Sequence, residues 1–166
     1  NWLDAQPSAG GAYDWARFDA LIDGAVARKL KVLAVVGYTP VWASQADAKG
    51  GGSQNDVPKA GTFAPFVTAV VNRYKNRVAN WEIWNEPNFD GYVYWRDSAT
   101  DLAALGRTVY RTAKAADPGI KVLWPAFVEW YEAPVVWKDN LEYGNASDGA
   151  GGVGKQWADG FAFHFY

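Results

Sequence analysis

Two carboxylic acids and two amides occur together in the stretch WEIWNEPN, which runs from Trp81 to Asn88. Its apolar residues are typical of a buried strand, but glutamate is among the residue types least often buried without a partner. In an extended strand Glu82, Trp84 and Glu86 share one face, and Pro87 ends the pairing because it has no N–H. The stretch therefore predicts Glu86 at the end of a strand, with Glu82 deeper.

A carboxyl group at such a strand end can act as a general acid. Partial shielding from water beside Trp84 favours the protonated form, which a general acid requires. The adjacent Asn85 is placed to hydrogen-bond a substrate hydroxyl. Two structural interpretations stay open: Glu86 caps the following turn, and Glu82 is a carboxylate inside a barrel, paired with an arginine or lysine that the sequence does not identify.

Composition narrows the classes of function. A net charge of -2 with evenly spread Lys and Arg gives no basic stripe, so no nucleic-acid partner is expected. No apolar run approaches the roughly 18 residues of a membrane span. With no Cys and a single His, His164, neither a metal site nor a cofactor is predicted. Ten Trp, nine Tyr and eight Phe fit either core packing or a surface that stacks on sugar rings.

Helical and strand patterns alternate along the 166 residues. The predicted helices cover 15–26 behind Asp14, 63–74 behind Thr62, 102–113 behind Ser98 and Thr100, and, more weakly, 134–143. The predicted strands are 31–37, 78–84, 120–127 and 160–166, and a long loop at 44–61 follows the first of them.

Strands that each follow a helix indicate right-handed crossovers and a parallel sheet, so the fold class is α/β. No GxGxxG follows the first strand, which favours a (β/α)8 barrel over a dinucleotide-binding sheet. Polar and aromatic residues end each strand, where function lies in such folds. A barrel needs eight strands, and the pattern supplies four, so residues 1–166 are expected to form part of a barrel.

Four segments, in order, resemble the clan A glycoside hydrolases, (β/α)8 enzymes that carry an acid/base glutamate after an asparagine on strand 4. They are NWLDAQPSAGGAYDWARFDALID, VLAVVGYTPVWAS, WEIWNEPN and FHFY. The chain is most similar to family 39 and to the cellulase-like family 5, over about helix 2 to strand 6 of the barrel. The resemblance implies that residues 1–166 form one catalytic domain that is incomplete at both ends. The resemblance implies a retaining glycosidase that acts on β-linked polysaccharide or oligosaccharide, in an extracellular setting.

The resemblance also implies roles for individual residues. Glu86 would be the acid/base and Asn85 would bind the sugar 2-hydroxyl. Tyr166 would hydrogen-bond the nucleophile, and His164 would line the sugar site, unless it is a strand-end imidazole satisfied within the fold. The remaining predicted cleft residues are aromatic: Tyr38, Trp42, Trp84 and Trp124.

The second carboxylate of a retaining site is not assigned. Such sites hold two carboxyl groups about 5 to 5.5 Å apart, and the resemblance places the nucleophile on strand 7. Glu82, Glu129, Glu132 and Glu142 do not occupy that place in the sequence. Two alternatives therefore stay open: a carbohydrate-binding protein without catalysis, and a half-barrel that assembles with a second copy or with the rest of a barrel.

Overall fold

The structure, a computed structural model, describes residues 1–47, 50–89, 94–129 and 141–165. Four α-helices are assigned: α1 (Trp2–Ala5), α2 (Ala16–Ala27), α3 (Phe63–Arg73) and α4 (Ala99–Ala116). Four strands are assigned: β1 (Leu33–Val36), β2 (Asn80–Ile83), β3 (Lys121–Glu129) and β4 (Gly160–Phe165). Short 3-10 helices lie at Val41–Ala43 and Gly154–Trp157, and residues 141–145 are helical. None of the described helices has the length and apolarity to cross a membrane.

The strands form one parallel sheet in the order β1-β2-β3-β4. Each predicted strand is present with shorter or shifted ends, and α2, α3 and α4 lie between successive strands or before β1, as the alternation predicts. The α/β class is therefore confirmed. The weak helix expected over 134–143 falls partly outside the described residues.

The ends of α4 follow from its sequence. Ser98 and Asp101 form a capping box, in which each side chain bonds the backbone N–H of the other residue. The helix ends at Ala116, two residues before Pro118, because a residue that precedes proline disfavours helical geometry. This helix covers the sheet beside the candidate site.

The hydrophobic core lies between the sheet and the helices. Trp81 and Ile83 of β2 and Val122 of β3 are buried on this outer face of the sheet. The opposite, inner face is more open: Leu33 is 49% exposed and Val35 is 38% exposed on β1. An apolar surface of this kind is usually covered by another part of the protein or by a partner.

An irregularity interrupts β3. Trp124 is the register partner of Phe161, but Phe127 is the partner of Phe163, so β3 contains one residue more than β4 over the same interval. Pro125 lies in this bulge, where its missing N–H is tolerated. After the bulge, Val128 is the register partner of His164.

Candidate active site

The backbone at the ends of β1 and β2 departs from strand geometry. Tyr38, Trp84 and Glu86 have φ values of 63°, 57° and 45°, in the left-handed region that non-glycine residues seldom adopt. The regular alternation assumed for Glu82, Trp84 and Glu86 therefore ends with Ile83. Residues held in this region often cluster at functional sites, and each costs about 1–3 kcal/mol that surrounding contacts must offset.

Glu86 lies just beyond β2, close to where the sequence placed it. Its backbone N–H donates to the Ala126 carbonyl of β3 at 2.9 Å, and its own carbonyl accepts from Phe89 N–H at 3.1 Å. The residue is only 8% exposed. Its carboxyl group is therefore enclosed at the carboxyl end of the sheet, between β2 and the strands that follow.

His164 supplies a side-chain partner for this carboxyl group. The imidazole Nδ1 lies 2.7 Å from Glu86 Oε1, although the two residues are 78 positions apart in the chain. When Nδ1 carries the ring proton it donates to the carboxylate, and this fixes the orientation of both groups. The structure therefore brings together two of the residues singled out in the sequence.

Glu82 is buried below them, with 1% of its surface exposed. Burial raises the pKa of the Glu82 carboxyl group above its ordinary value of 4.5, and the negative charge of Glu86 adds to this increase. A hydrogen bond from Ala126 N–H at 3.3 Å and the nearby His164 act in the opposite direction. The Glu82 carboxylate accepts this bond from a backbone amide, and no ion pair to it occurs among the described residues, so its pairing with an arginine or lysine stays a prediction.

Because of this raised pKa, the folded state binds the Glu82 proton more tightly than the unfolded state does. The resulting stabilisation is fully present below the unfolded pKa and is lost as pH rises through the folded pKa. Glu82→Gln should remove this pH dependence. Its full size in the free energy of unfolding is about 1.4 kcal/mol for each unit by which the folded pKa of Glu82 exceeds the unfolded pKa. The variant should therefore gain stability relative to the wild type as pH rises above about 4.5.

Denaturant unfolding from about pH 4 to pH 8 measures this effect. The suitable preparation carries residues 1–166 within a complete (β/α)8 barrel, below called the complete-barrel protein. Glu142→Gln is the matched control, because Glu142 is exposed on the helical turn at 141–145. Parallel pH profiles for the wild type and Glu82→Gln would contradict the assignment.

Tyr38 and Asn85 form the side of the site next to β1. Burial raises the pKa of the Tyr38 hydroxyl, and a hydrogen bond with the Asn85 side chain opposes that increase. The Tyr38 ring lies 5.4 Å from the ring of Trp84, measured between centroids. Asn85 also forms an isolated parallel bridge with Ala126, the β3 residue whose carbonyl accepts the Glu86 N–H.

Trp84 is enclosed and offers no ring face to a ligand in the described structure. It is 0% exposed, its Nε1–H donates to the Tyr94 carbonyl at 2.7 Å, and its ring meets Trp95 edge to face. A Cβ at Gly37 would lie 3.1 Å from Trp84 Cε3, so glycine leaves the room that this indole occupies. The prediction that Trp84 lines the cleft is corrected: it packs behind Tyr38.

Trp124 lies on the outer face of the sheet, which packs against the helices. It is 0% exposed, and a Cβ on Gly106 of α4 would approach its ring to 2.8 Å. Its predicted place in the cleft is therefore also corrected, because alternation along β3 before the bulge directs the indole toward the helices.

Trp42 is half-buried on the 3-10 helix after β1, where Nε1–H donates to the Gln6 carbonyl at 3.0 Å. Tyr166 lies outside the described residues.

Sequence reasoning missed two residues that shape this end of the sheet. Asp56, 4% exposed, accepts from Ser44 Oγ and from Ser53 N–H, both at 2.6 Å, so the described part of the 44–61 loop is tied together. Asn88 bonds the backbone of Val128 through both ends of its amide. For Asp56 the signal was the residue type, since Asp side chains readily bond nearby backbone groups in turns. The Asn88 bonds join residues 40 positions apart, and no local signal in the sequence indicates them.

The arrangement is suited to proton transfer. One enclosed carboxyl group, Glu86, faces an imidazole, and a second, Glu82, is shielded beneath it. No group of three or more His, Cys, Asp or Glu residues able to hold a metal ion occurs in the described part of the chain. The chemistry that these side chains offer is general acid and base catalysis.

Comparison with known proteins gives a family match over most of the chain. The family model described as glycosyl hydrolase family 10 matches residues 2–133. Endo-1,4-beta-xylanase A of Fusarium oxysporum f. sp. lycopersici is 29% identical over an alignment of 151 residues, which covers 87% of this chain and 40% of that protein. The chain thus spans less than half the length of this curated relative.

Solved structures share the fold. A family 39 β-xylosidase from Caulobacter crescentus is 25% identical, with a TM-score of 0.61, over 87% of this chain and 35% of the other. A family 39 glycoside hydrolase from Bacteroides cellulosilyticus WH2 matches with a TM-score of 0.64 at 23% identity, over 98% of this chain and 31% of the other. The expected likeness to clan A and to its barrel fold is confirmed.

Proposed function

This chain belongs to glycosyl hydrolase family 10, and we propose that it carries the acid/base part of a retaining glycoside hydrolase that cleaves β-linked polysaccharide or oligosaccharide. The observation that carries the proposal is the enclosed Glu86 carboxyl group at the end of β2, with His164 Nδ1 at 2.7 Å from its Oε1. A carboxyl group in that place can exchange a proton with a glycosidic oxygen that approaches from the open end of the sheet.

The proposed reaction has two steps. In the first, a carboxylate nucleophile attacks the anomeric carbon while Glu86 donates its proton to the departing oxygen, so that the leaving group departs as an alcohol. In the second, the Glu86 carboxylate takes a proton from water, and that water cleaves the glycosyl–enzyme bond. We place the nucleophile on a barrel strand after β4, as the family resemblance implies.

Residues around Glu86 would orient the sugar and the acid. His164 would hold the Glu86 carboxylate in one orientation through its Nδ1–H, leaving the second oxygen for the substrate. Asn85 and Tyr38, which follow β2 and β1 beside the acid, would contact sugar hydroxyls there. The half-buried Trp42 offers an apolar ring surface after β1.

The names of the relatives guide the choice of substrate. The similar proteins include an endo-1,4-β-xylanase and a β-xylosidase, so we propose β-1,4-linked xylose chains as the first substrates to test. Because a polysaccharide does not cross a membrane, the proposed place of action is outside the cell. The exposed inner-face residues Leu33 and Val35 would be covered by the other strands of a barrel or by a second copy of the chain.

The stereochemistry of the product tests this function. When the complete-barrel protein hydrolyses a β-1,4-xylo-oligosaccharide, proton NMR should show the β-anomer of the new reducing end before mutarotation adds the α-anomer. The matching α-linked oligosaccharide should not be hydrolysed. Initial release of the α-anomer would contradict retention, and sugar binding with no hydrolysis would favour the carbohydrate-binding alternative.

A further inference from the structure

The left-handed conformation of Glu86 requires contacts that hold it. With φ values of 57° at Trp84 and 45° at Glu86, the chain leaves β2 through two unfavourable backbone conformations within three residues. The bond from Glu86 N–H to the Ala126 carbonyl fixes one side of this turn. A second attachment to β3 lies two residues farther along both segments.

This second attachment is made by a side chain. Asn88 Nδ2 donates to the Val128 carbonyl at 3.1 Å, and Asn88 Oδ1 accepts from Val128 N–H at 3.0 Å. A primary carboxamide carries a donor and an acceptor in one plane, so it can satisfy both backbone groups of one residue. Asn88 thus continues the attachment to β3 after β2 has ended at Ile83.

Val128 also fixes the position of the imidazole partner. It is the register partner of His164 in the β3–β4 pairing. The segment that carries Glu86 is therefore bonded to β3 twice, by Glu86 to Ala126 and by Asn88 to Val128. The strand that carries His164 pairs with β3 at the same Val128. The 2.7 Å contact between Glu86 Oε1 and His164 Nδ1 thus joins two segments that are both bonded to β3.

We propose that Asn88 is a positioning residue for Glu86, because its carboxamide fastens the turn after the acid to the strand that also sets the place of His164. The inference rests on the proposed function, in which Glu86 is the acid/base. Asn88 does not contact the reacting atoms in this account. Its effect on the reaction passes through the backbone of residues 86–88 and of Val128.

Two substitutions probe the carboxamide. Asn88→Ala removes both hydrogen bonds, whereas Asn88→Asp keeps the shape but places a carboxylate oxygen against the Val128 carbonyl. Asn145→Ala is the matched control, since Asn145 is exposed and its Oδ1 accepts from Lys155 Nζ at 2.8 Å, away from the acid. If Asn88→Ala does not fold, Asn88→Asp carries the test.

The measurement is steady-state kinetics of the complete-barrel protein on two substrates. On a xylo-oligosaccharide, whose leaving group needs a proton, both Asn88 variants should lower kcat roughly 10- to 100-fold, with KM changed by no more than about twofold, as expected for a misplaced catalytic group. On an aryl xyloside with a dinitrophenolate leaving group, kcat/KM, which reports glycosylation, should stay near the wild-type value, while kcat can be limited by the second step. The Asn145 variant should match the wild type on both.

Failure of this proposal is distinguishable from failure of the proposed function. If Glu86→Gln abolishes hydrolysis of the oligosaccharide but a folded Asn88 variant retains it, Asn88 is not a positioning residue and the role of Glu86 stands. Equal losses of kcat/KM on both substrates from an Asn88 variant would indicate general damage to the site and would also overturn the proposal. If Glu86→Gln itself hydrolyses the oligosaccharide normally, the proposed function fails.

Discussion

Glu86→Gln in the complete-barrel protein should lower the turnover of xylo-oligosaccharides by about 10²- to 10⁴-fold, the usual contribution of a positioned acid or base. Glutamine keeps the size of the side chain and can still hydrogen-bond His164, so the 2.7 Å contact has a replacement. What is lost is the exchangeable proton. The expected defect is therefore in chemistry, with kcat reduced far more than the binding of substrate.

A change of leaving group separates this defect from misfolding. An aryl glycoside whose leaving group departs as a stable anion needs no proton in the first step, so Glu86→Gln should form the glycosyl–enzyme rapidly and then hydrolyse it slowly. A burst of aryl alcohol in rapid-mixing experiments measures this. Glu142→Gln provides the same chemical change at an exposed position. If the first step slows equally on both substrates, with no burst from the aryl glycoside, Glu86 does not act as the acid.

Trp124→Ala should reduce the free energy of unfolding by about 3–5 kcal/mol, the usual cost of removing a large buried aromatic side chain. The indole is 0% exposed and fills the space against Gly106 and Gly154. Neither glycine can extend into the cavity that the substitution leaves. The affinity of the folded protein for sugar should change little, because the residue lies on the helix side of the sheet.

Denaturant unfolding and sugar titration of the same variants test both parts of this expectation. Trp42→Ala is the comparison, since Trp42 is half-buried and lies after β1. It should lose less stability than Trp124→Ala and should weaken the quenching of tryptophan fluorescence by xylo-oligosaccharides. A Trp124→Ala variant with nearly unchanged stability and weakened sugar binding would restore Trp124 to the cleft.

Much of the fold was accessible from the sequence because local signals agreed with the tertiary structure. The pattern around α4 shows this: Ser98 caps the helix, Asp101 completes the box, and Pro118 follows its end. The place of Glu86 close to the end of β2 was also expected, although β2 ends at Ile83, three residues before Glu86 and four before Pro87. These features depend on a few neighbouring residues, and their physical causes are visible in one stretch of sequence.

The parts that escaped prediction depend on contacts between distant segments. Periodicity could not reveal the left-handed conformations of Trp84 and Glu86, since these are imposed by bonds to Val36 and Ala126 in the adjacent strands. The partner of Glu82 was missed because backbone amides are not distinguished by residue type. Which residues line a cleft also depends on the exact end of each strand, and this is why the two enclosed tryptophans were assigned to the wrong place.

The extra residue in β3 affects how relatives of this chain should be aligned. Because side chains alternate along a strand, one inserted residue reverses the direction of every side chain that follows it until the strand ends. Phe127 packs against Tyr143, with ring centroids 5.3 Å apart, and Val128 pairs with His164 only because the insertion at Pro125 precedes them. A homologue that lacks this residue would need a gap inside β3, and an ungapped alignment would match residues from opposite faces of the sheet.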